Sequence, residues 1–258
     1  MKDFLIESAL LTHGLASIPN DHLIRSWEDG WDIAWMSGGK LTIGDIEEFC
    51  RFRDEAADFA RINYFSYDIS RQNGASGPLT ASGTFRACME TGARMTVTCG
   101  LGGLRPGETA EASNDIRAMK DAGISTVATA FKDMFDAQLS LEAAAAAGMS
   151  IYRLTDHWHM GYMFISLHDT SEPDYNEAYS PAALYLAPVP PDELIADRSI
   201  LEEASAYGEE EALKGKPFHP AVNRRIDELT AGYSSELQLR SLITNIGYAK
   251  RLFAGKAK

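Results

Sequence analysis

The sequence has few cysteines, no long apolar run and a shortage of basic residues. No stretch reaches about eighteen consecutive apolar residues, so no membrane span is expected. The three cysteines lack metal-type spacing, and their odd number favours a reduced, cytoplasmic protein. Acidic residues outnumber basic ones by 37 to 24, giving a net charge of −13, and such a surface repels nucleic acid and anionic membranes. We therefore expect a cytoplasmic protein with neither of these partners.

Short apolar segments alternate with helical stretches along the chain. This alternation is typical of an α/β architecture, and the 45% hydrophobic content suffices for one sizeable core. Without an internal repeat or a linker, we predict a single domain over residues 1–258. The predicted strands are Phe4–Leu10, Trp31–Met36, Arg94–Cys99, Ile124–Ala130 and Met149–Thr155. The predicted helices are Ile46–Ala60, Thr80–Thr91, Asp115–Ala122 and Leu139–Ala147.

Two further segments are distinguished by their composition. The stretch around 166–191 is rich in proline and has little periodicity, so we expect a long active-site or subunit-contact loop over about residues 156–191. Residues 220–253 have the pattern of an amphipathic helix that is interrupted near Gly232, which predicts a helical tail.

Lys132 is the first candidate for chemistry. The small-residue strand before it delivers the lysine to the point where the strands of an α/β sheet open onto a crevice, where ligands bind. A lysine among apolar neighbours has a depressed pKa and can attack a carbonyl as a free amine, giving a Schiff base. A solvated surface lysine is the alternative.

Glu7 is the second candidate, because it interrupts an otherwise apolar opening strand. A carboxylate there lies at the open end of the strand or is poorly solvated, and both raise its pKa toward use as a general acid. The alternative is an edge-strand charge that blocks aggregation.

Three weaker signals follow. Gly100–Gly103, directly after a predicted strand, permits close backbone approach and an amide nest for an anion. Asp115 stands near a helix start, where it either caps the helix or binds a hard cation. His157 and His159 have possible zinc-ligand spacing, but without a third ligand nearby a polar loop lining a pocket is favoured.

Six short segments in a fixed order carry a resemblance to a known family. They are Ile6–Gly14, Gly39–Gly44, Gly100–Gly103, Ser113–Ile116, Ala130–Lys132 and Leu229–Asn245. In them the chain resembles the pseudouridine-5′-phosphate glycosidase family, also called indigoidine-synthase-A-like, over about residues 4–253. The interval from Asp115 to Lys132 matches the family's own spacing without a gap. The resemblance implies a three-layer α/β/α fold, a homotrimer, and an enzyme that makes or breaks the carbon–carbon glycosidic bond of C-nucleotides.

The resemblance also implies roles for individual residues. Lys132 falls on the Schiff-base lysine that captures C1′ of the ring-opened ribose, and Glu7 on the acid/base carboxylate. Asp115 falls on an aspartate that holds Mn²⁺ (or Mg²⁺) largely through waters. A small-molecule sugar phosphate or C-nucleotide is the implied partner. The implied substrate contacts are Thr12, His13, Ser76, Gly77, Thr80, Ser113 and Asn245.

The region of the implied phosphate site departs from the family. A Lys-x-Ser-Arg-Arg-Asp motif, whose lysine contacts the 5′-phosphate, is replaced by Tyr64–Arg71 without a lysine. We therefore expect either that Arg71 or Arg105 holds a phosphate, or that the substrate differs from pseudouridine 5′-phosphate. A C-nucleoside biosynthesis enzyme, a Schiff-base lyase or aldolase on another carbonyl substrate, and a non-catalytic metabolite-binding protein are the alternatives.

Overall fold

The computed structural model describes residues 2–166, 171–216 and 218–254, so residues 167–170 of the predicted loop lie outside the described part. The strands, in chain order, are β1 (Phe4–Glu7), β2 (Ile33–Ser37), β3 (Lys40–Gly44), β4 (Gly77–Pro78), β5 (Met95–Val97), β6 (Gly100–Leu101), β7 (Ser125–Ala128), β8 (Ala130–Phe131), β9 (Ser150–Arg153), β10 (Asp174–Tyr175) and β11 (Ala183–Leu186). The α-helices are α1 (Asn20–Arg25), α2 (Ile46–Arg53), α3 (Tyr67–Gln72), α4 (Ala81–Thr91), α5 (Asn114–Ala122), α6 (Ala137–Ala146), α7 (Ser199–Leu213), α8 (Phe218–Leu229) and α9 (Tyr233–Ala254).

Within the described ranges, nine strands form one sheet in the order β10-β9-β11-β7-β5-β1-β2-β3, with β4 paired to β2. The strands from β10 to β2 run parallel, whereas β3 and β4 are antiparallel to β2. β6 and β8 form a separate parallel pair just beyond the ends of β5 and β7. The carboxyl ends of the central strands therefore gather at one edge of the sheet, which is where open α/β sheets bind ligands.

Helices cover both faces of this sheet. Val127 packs in a core cluster with Leu242 and Ile246 of α9. Its neighbour Ala128 packs in a second cluster with Ile116 of α5 and Leu141 of α6. Because successive side chains of a strand point to opposite faces, the two clusters lie on the two sides of the sheet. The predicted three-layer α/β/α fold is confirmed.

The predicted strand Phe4–Leu10 is wrong in its last three residues. β1 ends at Glu7, and Leu10–Gly14 forms a π-helix closed by a 2.9 Å hydrogen bond from the backbone N–H of Leu15 to the Leu10 carbonyl. Ser8 marks the change, since its hydroxyl donates to a backbone carbonyl of β2 at 2.6 Å. An apolar run of this length suits a buried helix as well as a strand.

Two other segment predictions need correction. The loop expected over 156–191 contains β10 and β11, and β11 lies inside the sheet between β7 and β9. The four residues of β11 are too few to show a periodic pattern in the sequence. The helix predicted over Ile46–Ala60 ends at Arg53. The helical tail is confirmed, with its break between Leu229 and Tyr233.

In the described ranges, no helix combines the length and the apolarity that crossing a membrane requires.

Candidate active site

A cavity of about 580 Å³ opens at the carboxyl edge of the sheet. It gathers side chains from the ends of β1 and β8, from the starts of α4, α5 and α8, and from the irregular segments between them. The residues with polar or charged side chains that line it include Glu7, Arg61, Thr80, Arg105, Ser113, Asp115, Lys132 and His219. The structure therefore brings together both candidate catalytic residues and the candidate metal ligand.

Lys132 follows β8 directly, and its backbone N–H donates to the Leu101 carbonyl at 3.0 Å. Gly100 lies beside it: a Cβ there would be 2.9 Å from Cγ of Lys132 and 2.6 Å from the ring of Tyr162. A glycine is therefore needed for the lysine to pack this closely. Burial lowers the pKa of Lys132, and the nearby Glu7 carboxylate opposes that effect. A larger share of the amine is neutral, and thus nucleophilic, than in an exposed lysine.

Glu7 occupies the last position of β1 and is 8% exposed. Burial raises its pKa from 4.5 to about 7, although Lys132 and a hydrogen bond from Thr98 both act in the opposite direction. The hydroxyl of Thr98 donates to Oε2 of Glu7. A carboxyl group with a pKa near neutrality can both release and take up a proton at physiological pH, as a general acid/base must.

Asn245 does not reach the cavity, although it was expected to contact substrate. Its side chain is fully buried, and Nδ2 donates to the Thr98 carbonyl at 2.8 Å and to the Thr129 hydroxyl at 3.0 Å. Thr98 in turn holds Glu7. Asn245 thus holds in place the threonine that bonds the acid/base residue.

Asp115 ties two segments of the cavity wall together. Its Oδ1 accepts from the backbone N–H of Ser82 at 3.1 Å, and Oδ2 accepts from that of Gly102 at 2.8 Å. The helix cap of α5 is Ser113 instead, whose Oγ accepts from the N–H of Ile116 at 3.3 Å. Of the two functions considered for Asp115, capping of its own helix is therefore wrong.

The metal-binding possibility depends on the oxygens of Asp115 that remain available. A carboxylate has about four lone-pair positions, and two of them are used by the backbone amides. The described residues contain no group of three or more His, Cys, Asp or Glu side chains placed to hold a metal ion. The two lone-pair positions left on Asp115 would make it a single carboxylate ligand of a hard cation, with water as the other ligands.

Two guanidinium groups line the cavity, and the sequence predicted only one of them. Arg105 was expected, and its guanidinium lies over the ring of Phe218 at 4.5 Å. Arg61 was missed: it is half-buried, faces the charges of Glu7 and Asp115, and forms no hydrogen bond or ion pair with any residue that the structure describes. Since it lies in an irregular segment after α2, no periodic pattern singles it out. Guanidinium groups that line a cavity in this way suit the recognition of a phosphate or carboxylate.

His219 was also missed. It lies in the first turn of α8, with its ring 5.3 Å from that of Phe135. Its Nδ1 is buried without a hydrogen-bond partner among the described residues. Burial, and then the positive charges of Lys132, Arg61 and Arg105, lower the pKa of His219 to about 3, so the imidazole is neutral.

The remaining expected contacts fall into two groups, of which the first lies at the site. Thr80 caps α4 by accepting from the N–H of Gly83 at 3.2 Å and lines the main cavity, as does Ser113. His13 lines a smaller adjoining cavity together with Glu7 and Lys132, whereas Thr12 lines an outer cavity beyond it.

The second group lies elsewhere. Arg71 pairs with Glu90 at 2.9 Å on the surface and does not line the cavity, so it is not placed to hold a phosphate there. Ser76 accepts from the N–H of Gly38 at 2.9 Å in the turn between β2 and β3. Gly77 belongs to β4 and pairs with β2. All three lie at the hairpin side of the sheet, because β4 runs back along β2.

Neither the cysteines nor the closely spaced histidines form a reactive centre. All three cysteines are buried, and burial raises the pKa of each thiol. Nε2 of His157 bonds the Pro188 carbonyl at 3.0 Å, and Nε2 of His159 bonds the Val189 carbonyl at 2.8 Å. The two imidazoles therefore hold a loop through backbone carbonyls, which agrees with the polar-loop alternative and not with a zinc site.

Comparison with known proteins gives a consistent result. Residues 5–168 match the family described as "Indigoidine synthase A like protein". The pseudouridine-5′-phosphate glycosidase of Roseobacter denitrificans is 26% identical over 273 residues, covering 95% of this chain and 85% of the relative. The corresponding enzyme of Caldanaerobacter subterraneus is 23% identical over 274 residues, covering 93% and 87%.

Two solved structures share the fold. An indigoidine synthase A-like protein from Thermotoga maritima superposes with a TM-score of 0.73 at 17% identity, covering 96% of this chain and 91% of that one. The prealnumycin C-glycosynthase AlnA, solved in complex with ribulose 5-phosphate, gives a TM-score of 0.71 at 18% identity, covering 98% and 92%.

Proposed function

Because the chain belongs to the indigoidine synthase A-like family, we propose that it cleaves or forms the carbon–carbon glycosidic bond of a C-nucleotide. Relatives along nearly its whole length are named pseudouridine-5′-phosphate glycosidases, which makes it a glycosidase-type enzyme. A structural neighbour is named a C-glycosynthase, so both directions of the reaction belong to the proposal.

One observation carries the mechanism: Lys132 and Glu7 line the same cavity with pKa values moved toward each other. A lysine with a lowered pKa supplies a free amine, and a carboxyl group near neutrality supplies and accepts protons. A C–C glycoside has no basic leaving atom, so protonating a leaving group does not suffice. An amine bonded to C1′ supplies the missing driving force, because its nitrogen lone pair can form an imine at C1′ as the bond to the aglycone breaks.

In the cleavage direction, the Lys132 amine adds to C1′ of the sugar. The bond from C1′ to the ring oxygen breaks, the oxygen takes the Glu7 proton, and Glu7 then takes a proton from the new ammonium. The nitrogen lone pair next forms the protonated imine as the C1′–aglycone bond breaks. The aglycone carbon keeps that electron pair and receives the proton from Glu7. The products are the free aglycone and a ring-opened sugar held on Lys132, and Glu7 is a carboxylate.

The anionic end of the substrate is assigned to Arg61 and Arg105. Both line the cavity, and Arg61 forms no hydrogen bond or ion pair with the described residues. A pentose phosphate is the ligand named for the C-glycosynthase structure, and guanidinium groups bind such a phosphate by paired charge-assisted hydrogen bonds. Thr80 and Ser113 line the same wall and would contact the sugar.

Asp115 is proposed to hold Mn²⁺ or Mg²⁺, with water completing the coordination shell. The bound cation would supply positive charge that polarises water or a sugar hydroxyl. Manganese binding is tested directly by electron paramagnetic resonance. Asp115→Asn should lower the affinity for Mn²⁺ by roughly tenfold or more, since the ion loses a charged ligand. Equal affinity in the two proteins would contradict this assignment.

The homotrimer implied by the family resemblance stays a prediction.

The activity is tested in both directions by chromatography. The protein with Mn²⁺ is incubated with pseudouridine 5′-phosphate, and separately with ribose 5-phosphate and a panel of heterocycles that includes uracil. Formation of an aglycone or of a C-nucleotide, lost in Glu7→Gln, supports the proposal. No turnover of any pair would contradict it and favour a metabolite-binding protein.

A further inference from the structure

A small cavity shares lining residues with both the reaction cavity and an outer cavity. Glu7, Arg61 and Lys132 line it on the side of the reaction, and His13 and Asn223 line it on the other side. Its accessible volume is about 10 Å³. That is close to the roughly 10–15 Å³ that a single buried water molecule needs.

The two residues on the far side carry polar atoms without partners. Nδ1 of His13 and Oδ1 of Asn223 are both buried, and neither forms a hydrogen bond with the described residues. An unsatisfied buried polar atom costs about 1–3 kcal/mol, whereas a buried water typically makes two to four hydrogen bonds. A water here would donate one hydrogen to Oδ1 of Asn223 and the other to the Glu7 carboxylate, while its oxygen accepts from His13 in the tautomer that carries the hydrogen on Nδ1.

The fold places these two residues on separate elements that pack together. His13 belongs to the π-helix Leu10–Gly14, which begins shortly after Glu7, and Asn223 belongs to α8. π-Helical turns often mark functional sites, because the extra residue changes the direction of the side chains. Burial, and then the charge of Arg61, lower the pKa of His13, although the backbone of Ala57 and Ala56 acts in the opposite direction, and this favours the neutral imidazole with a single N–H.

We propose that His13 and Asn223 position the water molecule that releases the sugar from Lys132. This inference rests on the imine mechanism proposed above. Glu7 and Lys132 line both this small cavity and the reaction cavity, so a water held there lies beside the acid/base group and the reacting nitrogen. The outer cavity, lined among others by Thr12 and Arg224, provides its replacement from solvent.

The step balances with the groups present. The water oxygen adds to C1′ of the protonated imine while the Glu7 carboxylate takes one of its protons, giving a neutral carbinolamine. Glu7 returns that proton to the nitrogen. The C1′–N bond then breaks as the hydroxyl proton passes to Glu7. The products are the open-chain aldehyde, the neutral amine of Lys132 and protonated Glu7. In the synthetic direction the same water leaves when the imine forms.

The experiment follows oxygen-18 exchange from labelled water into the aldehyde of ribose 5-phosphate, above the rate seen with Lys132→Ala. His13→Phe keeps a ring but removes the nitrogens, and Asn223→Leu keeps the volume but removes the amide. Each should slow the exchange by roughly 10- to 100-fold, as expected for losing one or two hydrogen bonds. Ser17→Ala, at a position that lines the outer cavity but neither the small cavity nor the reaction cavity, should exchange as the unmodified protein does.

A second readout separates this role from a merely structural one. After long incubation with ribose 5-phosphate, a short borohydride pulse measures the fraction of Lys132 present as imine. A group that only positions the water changes the rate of exchange but not this equilibrium fraction. If imine forms in the unmodified protein and in both variants, and neither variant slows the exchange, then only the proposed positioning of the water is overturned and the imine mechanism stands. Absence of imine in the unmodified protein would overturn the proposed function, and this inference with it.

Discussion

Thr98, just after β5, donates its hydroxyl hydrogen to Oε2 of Glu7, at the end of the neighbouring strand β1. The parallel register of the two strands, in which Ile6 faces Val97, places the next residue of each side by side. The threonine favours the ionised carboxylate, against the burial that disfavours it. The acid/base group is thus tuned by a residue 91 positions away in the sequence.

Thr98→Val should move the Glu7 limb of the pH profile of kcat/KM to higher pH. A hydrogen bond to a charged group contributes about 1.5–3 kcal/mol, which corresponds to roughly one or two pH units. Thr126→Val is the matched control, because the Thr126 hydroxyl is buried without a hydrogen-bond partner among the described residues. An unmoved profile in Thr98→Val would show that this hydrogen bond does not set the pKa of Glu7.

Glu7 should also make folding stability depend on pH. Its pKa is raised from 4.5 to about 7, so the stability linked to its neutral form is fully present below pH 4.5 and is lost as the pH rises through 7. The loss is about 3 kcal/mol by linkage. Glu7→Gln cannot ionise and should gain stability relative to the unmodified protein between pH 5 and pH 8, measured by denaturant unfolding. The surface variant Glu55→Gln should show no such gain. A free energy of unfolding of Glu7→Gln that stays at a constant difference from that of the unmodified protein across this pH range would refute the linkage.

Arg61 should matter for phosphorylated substrates only. Arg61→Met keeps much of the side-chain packing but removes the charge, and we expect KM for pseudouridine 5′-phosphate to rise roughly 10- to 100-fold. The dephosphorylated nucleoside should be affected far less. Arg71→Met is the control, because Arg71 pairs with Glu90 outside the cavity and should leave KM within about twofold. A larger effect from Arg71 than from Arg61 would reverse this assignment.

Gly100→Ala should impair both folding and turnover. The new Cβ would lie 2.6 Å from the ring of Tyr162 and 2.9 Å from Cγ of Lys132, so one of them must move. Overpacking of this kind costs about 1–3 kcal/mol, and displacement of the nucleophile should lower kcat by at least roughly tenfold. Gly247→Ala in α9, where the new Cβ would lie 3.9 Å from Nη1 of Arg251, should be neutral or slightly stabilising in the same unfolding assay. Full activity in Gly100→Ala would mean that Lys132 does not need this close approach.

Local patterns in the sequence predicted the alternation of strands and helices and the position of Lys132, whereas the three-layer arrangement was implied by the family resemblance. The segment before Lys132 is an uninterrupted run of mostly small, buried residues, so its end could be located from the sequence, although the structure divides it into β7 and the separately paired β8. The turn from β1 into the π-helix was not predicted, because the apolar run Ala9–Leu11 is compatible with either a buried strand or a buried helix. β11 was missed because four residues between proline-rich segments carry no measurable period.

The wall of the cavity was harder to predict than its catalytic residues. Arg61 and His219 reach the site only through the packing of irregular chain and of the start of α8, and neither follows a motif. Asn245 shows the opposite error: the resemblance assigned it to the substrate, whereas its amide bonds Thr98 and Thr129 in the core. Such long-range contacts depend on tertiary packing that no local pattern records.

The central claim is that Lys132 forms an imine with the ring-opened sugar. The protein is incubated with ribose 5-phosphate, reduced with borohydride, and analysed by intact mass and peptide mapping. The account predicts one adduct per chain on Lys132, with the mass of the sugar phosphate less one oxygen, absent in Lys132→Ala and retained in the surface variant Lys40→Ala. No adduct, or an adduct that persists in Lys132→Ala, would contradict the imine mechanism.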